Sequence, residues 1–297
     1  MGTASAMPVS DRNQSAQVLR VRGRLFLIDC GEGTQGQLIR YRIPPVKLDA
    51  VFLSHIHGDH VFGIFGLLST IGMLGRQAPL PIYAPSNFGP ILKFFLSYYG
   101  EGLGYEIRFF PLTMKRPETV YENRTMSISA FPLNHKIETY GFLFREKEPA
   151  WNVRKEAIAR YGLSLTEIGT LKRGEDVVRP EGVISLADAA YKPYPARSYA
   201  YCSDTAPFPE EAEWVRGVTV LYHETTYLAE LADQAEKRYH STTLQAAACA
   251  RDAGAGRLII GHYSSRNSNI SLYQEECRSV FPESVAASDG DTFEINC

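Results

Sequence analysis

The sequence predicts a layered α/β fold, on three observations. Short apolar runs of strand length alternate with segments of helical pattern. Most of the strand-like runs end on a histidine or an aspartate: His55, His135, Asp204, His223 and His262. The most apolar window, VFGIFGLLSTIGMLG at 61–75, carries four glycines and is shorter than the ~20 residues of a membrane span, so it reads as a buried helix.

The elements follow in order. VLRVRGRLFLID (18–29) reads as two short strands around Gly23, and LDAVFLS as a buried strand. A helix is expected over 61–74, a strand at LPIYAP, and a helix from Ser86 to Tyr99 stopped by Gly100. TMSISAFPLNH is a strand leading to His135, and YGFLFRE is the next. Residues 146–197 change character. WNVRKEAIARYG is a short helix closed by Gly162, and SLTEIGTLKRG opens on a Ser164/Glu167 capping box. RPEG and YKPYPAR are loop-like. This segment is expected to be an inserted helical arm without a core of its own; an ordinary surface excursion is the plainer reading. Strands resume at SYAYCSD, VTVLYHE and RLIIGH, with the helix STTLQAAACARDAG between the last two.

Composition narrows the function. The 297 residues are 44% hydrophobic and suit one large domain, 1–297, with 146–197 as its insertion. A formal charge of −2 excludes a chain that is basic all over, so any nucleic-acid contact must use a local patch. The five cysteines (Cys30, Cys202, Cys249, Cys277 and Cys297) are odd in number and not closely paired, which fits reduced thiols in a cytoplasmic protein. MGTASAMPVSDRNQ lacks the apolar core of a signal peptide.

LSHIHGDHVFG (53–63) packs three of the seven histidines and an aspartate into six positions: His55, His57, Asp59 and His60. Imidazole and carboxylate are good ligands for Zn²⁺. In an extended turn His55 and His57 face the same way. Asp59 and His60, beyond a flexible Gly58, would swing toward a second ion. Strand ends in layered folds meet on one rim, so His135, Asp204 and His262 are candidates to join them. Asp204 and His262 are also compatible with turns.

These residues resemble the metallo-β-lactamase superfamily, and HIHGDH identifies that superfamily alone. GTASAMP, DCGEGTQGQL, LNHKIETYGF, SDTAP, HETTY, HST and GHYSSR, running in order from about residue 2 to residue 266, are similar to the ribonuclease Z family. The resemblance implies two facing mixed sheets flanked by helices, an αββα sandwich. It implies two Zn²⁺ per chain, with Mn²⁺ or Fe²⁺ as substitutes. His55, His57 and His135 would bind one ion, Asp59, His60 and His262 the other, and Asp204 would bridge them. His223 would support its strand end. It further implies removal of the 3′ trailer from precursor tRNA, a homodimer, and no membrane association. Three departures stand out. The family's first strand normally precedes GTASAMP. The family's arm carries a Gly-Pro where this chain has SLTEIGTLKRG, with Leu165 and Thr166 nearby. Thr225 stands where alanine is frequent.

The expected chemistry is phosphodiester hydrolysis by a hydroxide shared between two zinc ions. Asp59 would orient that nucleophile, and His240, steadied by Glu224, would protonate the leaving 3′-oxygen. The products would be a tRNA with a free 3′-hydroxyl and a trailer with a 5′-phosphate. Ser264 and Arg266 are candidates for phosphate contact, or for turn packing. On the arm, close to charge balance overall, the pairs Arg154–Lys155 and Lys172–Arg173 are candidates for tRNA phosphate contact, or a solvated helix face. The competing readings are a zinc hydrolase acting on a cyclic nucleotide, aryl sulfate or lactone, and an RNA-binding protein without catalysis. The arm argues against the first and the full donor set against the second.

Overall fold

Arg22 and Gly23, both at positive φ (51° and 77°), make the tight turn of the first hairpin. It joins β1 (Gln17–Val21) to β2 (Arg24–Ile28). After α1 (Thr34–Arg40) the chain alternates: β3 (Leu48–Phe52), α2 (Gly58–Met73), β4 (Leu80–Pro85), α3 (Phe88–Tyr99) and β5 (Ile107–Leu112). The strands form one sheet in the order β1-β2-β3-β4-β5, parallel from β2 onward. This is a computed structural model; it describes residues 1–296, and Cys297 lies outside them.

A second sheet is built from β6 (Glu118–Glu122), β7 (Met126–Pro132) and β8 (Tyr140–Glu146), all antiparallel. The insertion between β8 and the rest of the sheet holds β9 (Asn152–Val153), α4 (Lys155–Tyr161), α5 (Leu165–Lys172), β10 (Val177–Arg179), β11 (Gly182–Ile184), α6 (Leu186–Ala189) and β12 (Ala190–Tyr191). The sheet continues with β13 (Ser198–Cys202), α7 (Glu211–Trp214), β14 (Val220–Glu224), α8 (Ala232–Arg238), α9 (Thr243–Ala253), β15 (Leu258–Gly261), α10 (Ile270–Val280) and β16 (Ser284–Ala286). Its order is β16-β15-β14-β13-β8-β7-β6.

Strand alternation assigns the layers. Phe26, Ile28, Ala50 and Phe52 of the first sheet meet Phe142, Phe144, Tyr201 and Tyr222 of the second in one inner core. Phe52 stacks on Tyr83 at 4.8 Å and meets Phe142 edge-on at 5.2 Å. The opposite faces carry Leu27, Val51 and Leu53 under α2 and α3, and Ala200, Leu221 and Ile260 under α9 and α10. Because both faces of β3, β14 and β15 are buried, these strands read as continuous apolar runs. The result is the αββα sandwich that the resemblance implies.

Direction places the site. β13, β14 and β15 run parallel. β8 is antiparallel to both β13 and β7, so β7 also runs with β13. The residues just past β7, β13, β14 and β15 therefore open on one rim, and Asp29 past β2 and Ser54 past β3 meet it through Tyr201 OH and Ser203 Oγ.

Two expectations need correction. Helix α2 begins at Gly58, three residues before the expected start, with His57 at its N-cap. Gly58 is thus a helical residue rather than a flexible turn, and Asp59 and His60 ride on a rigid first turn. The insertion does have its own core: Ala157, Leu163, Leu171, Val177, Ile184, Ala189 and Ala190 are buried together with Trp151 packed against them. It is also not purely helical, since β10 pairs with β11 and β9 with β12. Its apolar residues are scattered over elements too short to show a period. The capping box is formed as expected, Ser164 Oγ accepting from Glu167 N and Glu167 accepting from Ser164 N. The insertion leaves and rejoins the sheet at one point, where Glu146 accepts from the Arg197 guanidinium at 2.9 Å from two nitrogens.

Gly63 lets α2 lie close to the loop after β2. A Cβ there would sit 2.1 Å from the Gly31 carbonyl oxygen, whereas a Cβ on Gly36 of α1 would meet nothing within 4 Å. Gly63→Ala is expected to destabilise by roughly 1–3 kcal/mol through overpacking. Gly36→Ala should be neutral or stabilising by about 0.4–1 kcal/mol. Denaturant midpoints of the two variants would check this, and equal midpoints would contradict the close approach.

Candidate metal centre

Two groups of donors share one carboxylate. In the first, His55 Nε2 lies 3.0 Å from His57 Nδ1, and His135 Nε2 lies 3.4 Å from the same Nδ1. Asp204 Oδ2 is 3.5 Å from His55 Nε2 and 3.9 Å from His135 Nε2. In the second, His60 Nε2 and His262 Nε2 are 3.3 Å apart, and Asp59 Oδ2 is 3.5 Å and 3.3 Å from them. Here Asp204 presents its other oxygen, Oδ1, at 3.4 Å from His60 and 3.3 Å from His262. All seven residues expected from the sequence are brought together.

The far side of four of the five rings is held. His60 Nδ1 bonds to Asp29 Oδ2 at 2.7 Å, and His55 Nδ1 to Ser54 Oγ at 2.9 Å. His135 Nδ1 donates to the Tyr239 carbonyl at 2.8 Å, and His262 Nδ1 meets Thr226 Oγ1 at 2.8 Å. Asp29 is fully buried and also receives Ser54 N, Ser54 Oγ and Tyr201 OH. Such partners fix tautomer and ring direction in metal sites. Asp29, Ser54, Thr226 and Tyr239 were missed by the sequence reading. Asp29 ends a strand run just as His55 does, and that context was the available signal.

The donors fit a pair of divalent cations. Burial pushes His55, His57 and His135 below the usual imidazole range, which keeps their lone pairs free. Burial opposes charge on Asp59 and Asp204, yet surrounding imidazoles, His60 for Asp59 and His262 for Asp204, hold both well below the usual carboxylate range. Asp204 Oδ1 is buried without a hydrogen bond of good geometry, although two ring nitrogens stand near it. A buried acceptor of this kind is costly unless a positive charge completes it.

His240 stands beside these groups. Its Nδ1 is 2.9 Å from Glu224 Oε1 and its Nε2 is 3.9 Å from Asp204 Oδ2. Glu224 is fully buried and accepts from Ser241 N, Thr226 N and Thr226 Oγ1. Burial works against a charged His240, but Glu224 and Asp204 outweigh it and push its pKa up to about 9. Asp204, His240 and His262 are also close enough to share an ion, so distance alone leaves His240 two roles. His223 is buried and bonds to Glu211 and to the Glu224 carbonyl, a supporting position at its strand end.

The outlying candidates are placed differently. Arg266 donates to Gln234 of α8 at 2.7 Å, and its backbone NH to Ser264 Oγ. On the insertion, Arg154 covers the Tyr191 ring and Arg173 pairs with Glu175, while Lys155 and Lys172 are exposed. No helix among the described residues is long and apolar enough to cross a membrane.

The metallo-β-lactamase superfamily model matches residues 9–126. The chain is 38% identical over 290 residues to the ribonuclease Z of Bacteroides fragilis (strain YCH46), covering 97% of this chain and 95% of that one. It is 39% identical over 291 residues to the ribonuclease Z of Parabacteroides distasonis, at 98% and 96% coverage. Among solved structures it is similar in fold to the short form of human tRNase Z, with a TM-score of 0.72 and 24% identity over 100% of this chain and 98% of that one.

Asp29→Asn keeps the shape of the side chain but weakens its hold on His60. It should lower metal affinity by about 10–100-fold. Competition with a chelator of known affinity would measure this; unchanged affinity would mean that Asp29 serves packing alone.

Proposed function

Since the chain belongs to the ribonuclease Z family of the metallo-β-lactamase superfamily, we propose that it removes the 3′ trailer from precursor tRNA. It is a hydrolytic endoribonuclease. The cut leaves a 3′-hydroxyl on the tRNA and a 5′-phosphate on the trailer. His55, His57 and His135 would hold one divalent ion and Asp59, His60 and His262 another, with Asp204 between them; the nitrogen and oxygen donors suit Zn²⁺, and also Mn²⁺ or Fe²⁺. Bound there, the ions would supply positive charge to a phosphodiester and make water more acidic.

The chain's own groups do the rest. Asp59 would orient a water and take its proton. His240, 14% exposed and with its pKa raised by Glu224 and Asp204, faces the same space and would deliver a proton to the departing 3′-oxygen. Glu224 fixes Nδ1 as the inner nitrogen and leaves Nε2 outward. The observation that carries this reading is His240, an imidazole set beside the seven donors and backed by its own buried carboxylate.

The insertion serves as a tRNA-docking arm. Its core makes it a rigid projection, and Arg154, Lys155 and Lys172 are exposed cations without an acidic partner among the described residues; Arg173 is partly neutralised. Its charge reaches phosphates that a small phosphodiester lacks, which favours RNA over a small-molecule substrate. We place Ser264 and Arg266 at the rim as further phosphate contacts. Homodimerisation would cover the exposed apolar side chains of α2 and α3, Phe62, Met73, Phe94, Tyr98 and Tyr99. Four buried free cysteines suit a reducing cytoplasm.

His57→Ala or Asp204→Ala should lose metal and cleavage together. His240→Ala should keep its metal content while precursor cleavage falls by ~10²–10⁴-fold. The loss should shrink on a nitrophenyl phosphodiester, whose leaving group needs no proton. Loss of metal from His240→Ala, seen by elemental analysis, would make it a ligand instead.

Replacing residues 152–191 with a short linker removes the arm together with its core. Hydrolysis of the nitrophenyl diester should persist, while KM for precursor tRNA rises and the salt dependence of binding becomes shallower. An unchanged KM and salt slope would end the docking-arm reading.

A further inference from the structure

We propose that Cys202, Cys249, Glu211 and His223 form a separate, thiolate-containing site for a zinc-class divalent ion. The site lies on the outer face of the second sheet. Cys202 ends β13, His223 sits near the end of β14, Glu211 begins α7, and Cys249 lies on α9. Ligand atoms of Cys202, Glu211 and His223 all lie within 4.8 Å of one another. Cys249 rests against the same imidazole. Exposure is 0% for Cys202, 9% for Cys249, 3% for Glu211 and 1% for His223.

The hydrogen bonds call for a cation. His223 Nδ1 is 2.7 Å from the Glu224 carbonyl, so it must donate there. In a neutral ring Nε2 is then a lone pair, and it points at Glu211 Oε1 from 3.0 Å. Two acceptors do not face each other at that distance unless a positive charge lies between them. A proton would suffice, leaving either an ion pair or a carboxylic acid bonded to imidazole in a layer otherwise made of Ala200, Val215, Val218, Leu221 and Ala250. Two sulfurs beside this pair change the balance. Sulfur, imidazole and one carboxylate make a donor set for zinc-class ions rather than Mg²⁺ or Ca²⁺. Metal bonds of about 2.0–2.3 Å set tetrahedral ligands roughly 3.3–3.8 Å apart, within the span of Cys202, Glu211 and His223, with Cys249 the outlying fourth donor. The Nδ1–H bond to a carbonyl is the usual orientation of a metal-binding imidazole.

Such an ion would be structural. It would tie the ends of β13 and β14 to α7 and α9. Asp204 follows Cys202 by two residues and Glu224 follows His223 directly, so the tie would steady both at the rim.

The test uses the full chain with its metals exchanged for Co²⁺. The rim donors are all nitrogen and oxygen, so a near-ultraviolet thiolate-to-cobalt charge-transfer band that disappears with Cys202 and Cys249 reports the cysteine site. The band should be present, with about three metal ions per chain. Cys202→Ser/Cys249→Ser should lose the band and about one ion. Should that variant fail to fold, titrating the wild-type zinc protein with an organomercurial should release about one zinc per chain as the thiols react. A fully cobalt-loaded chain without the band, or thiols modified with no zinc released, would overturn the proposal and leave a proton-held His223–Glu211 pair. These readouts are independent of whether the chain cleaves RNA.

Discussion

The rim is organised around one buried carboxylate. Asp204 turns Oδ2 toward His55 and His135 and Oδ1 toward His60 and His262. A shorter or neutral side chain could not serve both groups. The position follows from topology: Asp204 lies two residues past β13, the strand where the parallel and antiparallel halves of the second sheet meet. Every other donor reaches it from a strand end or, for Asp59 and His60, from the first turn of α2. The two facing sheets must therefore hold their separation closely, and the aromatic inner core of Phe52, Tyr83, Phe142 and Phe144 supplies that rigidity.

Orientation comes from groups outside the donor set. Asp29 has positive φ (55°) and points its carboxylate inward beneath the cluster. It collects four hydrogen bonds, from Ser54 N, Ser54 Oγ, Tyr201 OH and the His60 ring. Ser54 passes this order on to His55. On the other side, Thr226 links Glu224 to His262 through its hydroxyl. The His240–Glu224 side of the rim and the donor side thus share one hydrogen-bonded frame through Thr226.

Legibility in the sequence followed locality. HIHGDH was readable because four donors fall within six positions, and the strand-end rule recovered His135, Asp204 and His262 from far apart. The helices of the flanking layers were readable from apolar runs and their start and stop residues, as with Ser86 and Gly100. The early start of α2 was not, since Gly58 and the polar Asp59 and His60 resemble a loop more than a first helical turn. The arm's core was hidden because its apolar residues sit in pieces of two to eight residues, held together only by tertiary contact. Asp29 carried the same strand-end signal as His55, whereas Tyr239 and Thr226 were hidden for another reason. Their roles are set by a carbonyl and a hydroxyl, which leave no compositional mark.

Strand β14 shows how one sheet can serve two chemistries. Successive residues point to opposite faces, so His223 enters the outer layer while Glu224 turns to the rim. The two are joined by more than the chain, since the His223 ring donates to the Glu224 carbonyl. Glu224 in turn is held by Thr226 and Ser241 and carries His240. A buried carboxylate can fix an imidazole only if it cannot rotate away, and this one is restrained at both oxygens and at its own backbone. The outer cluster of Cys202, Glu211 and His223 sits behind that restraint. The His223 ring, through its bond to the Glu224 carbonyl, links that cluster to the backbone from which the carboxylate projects.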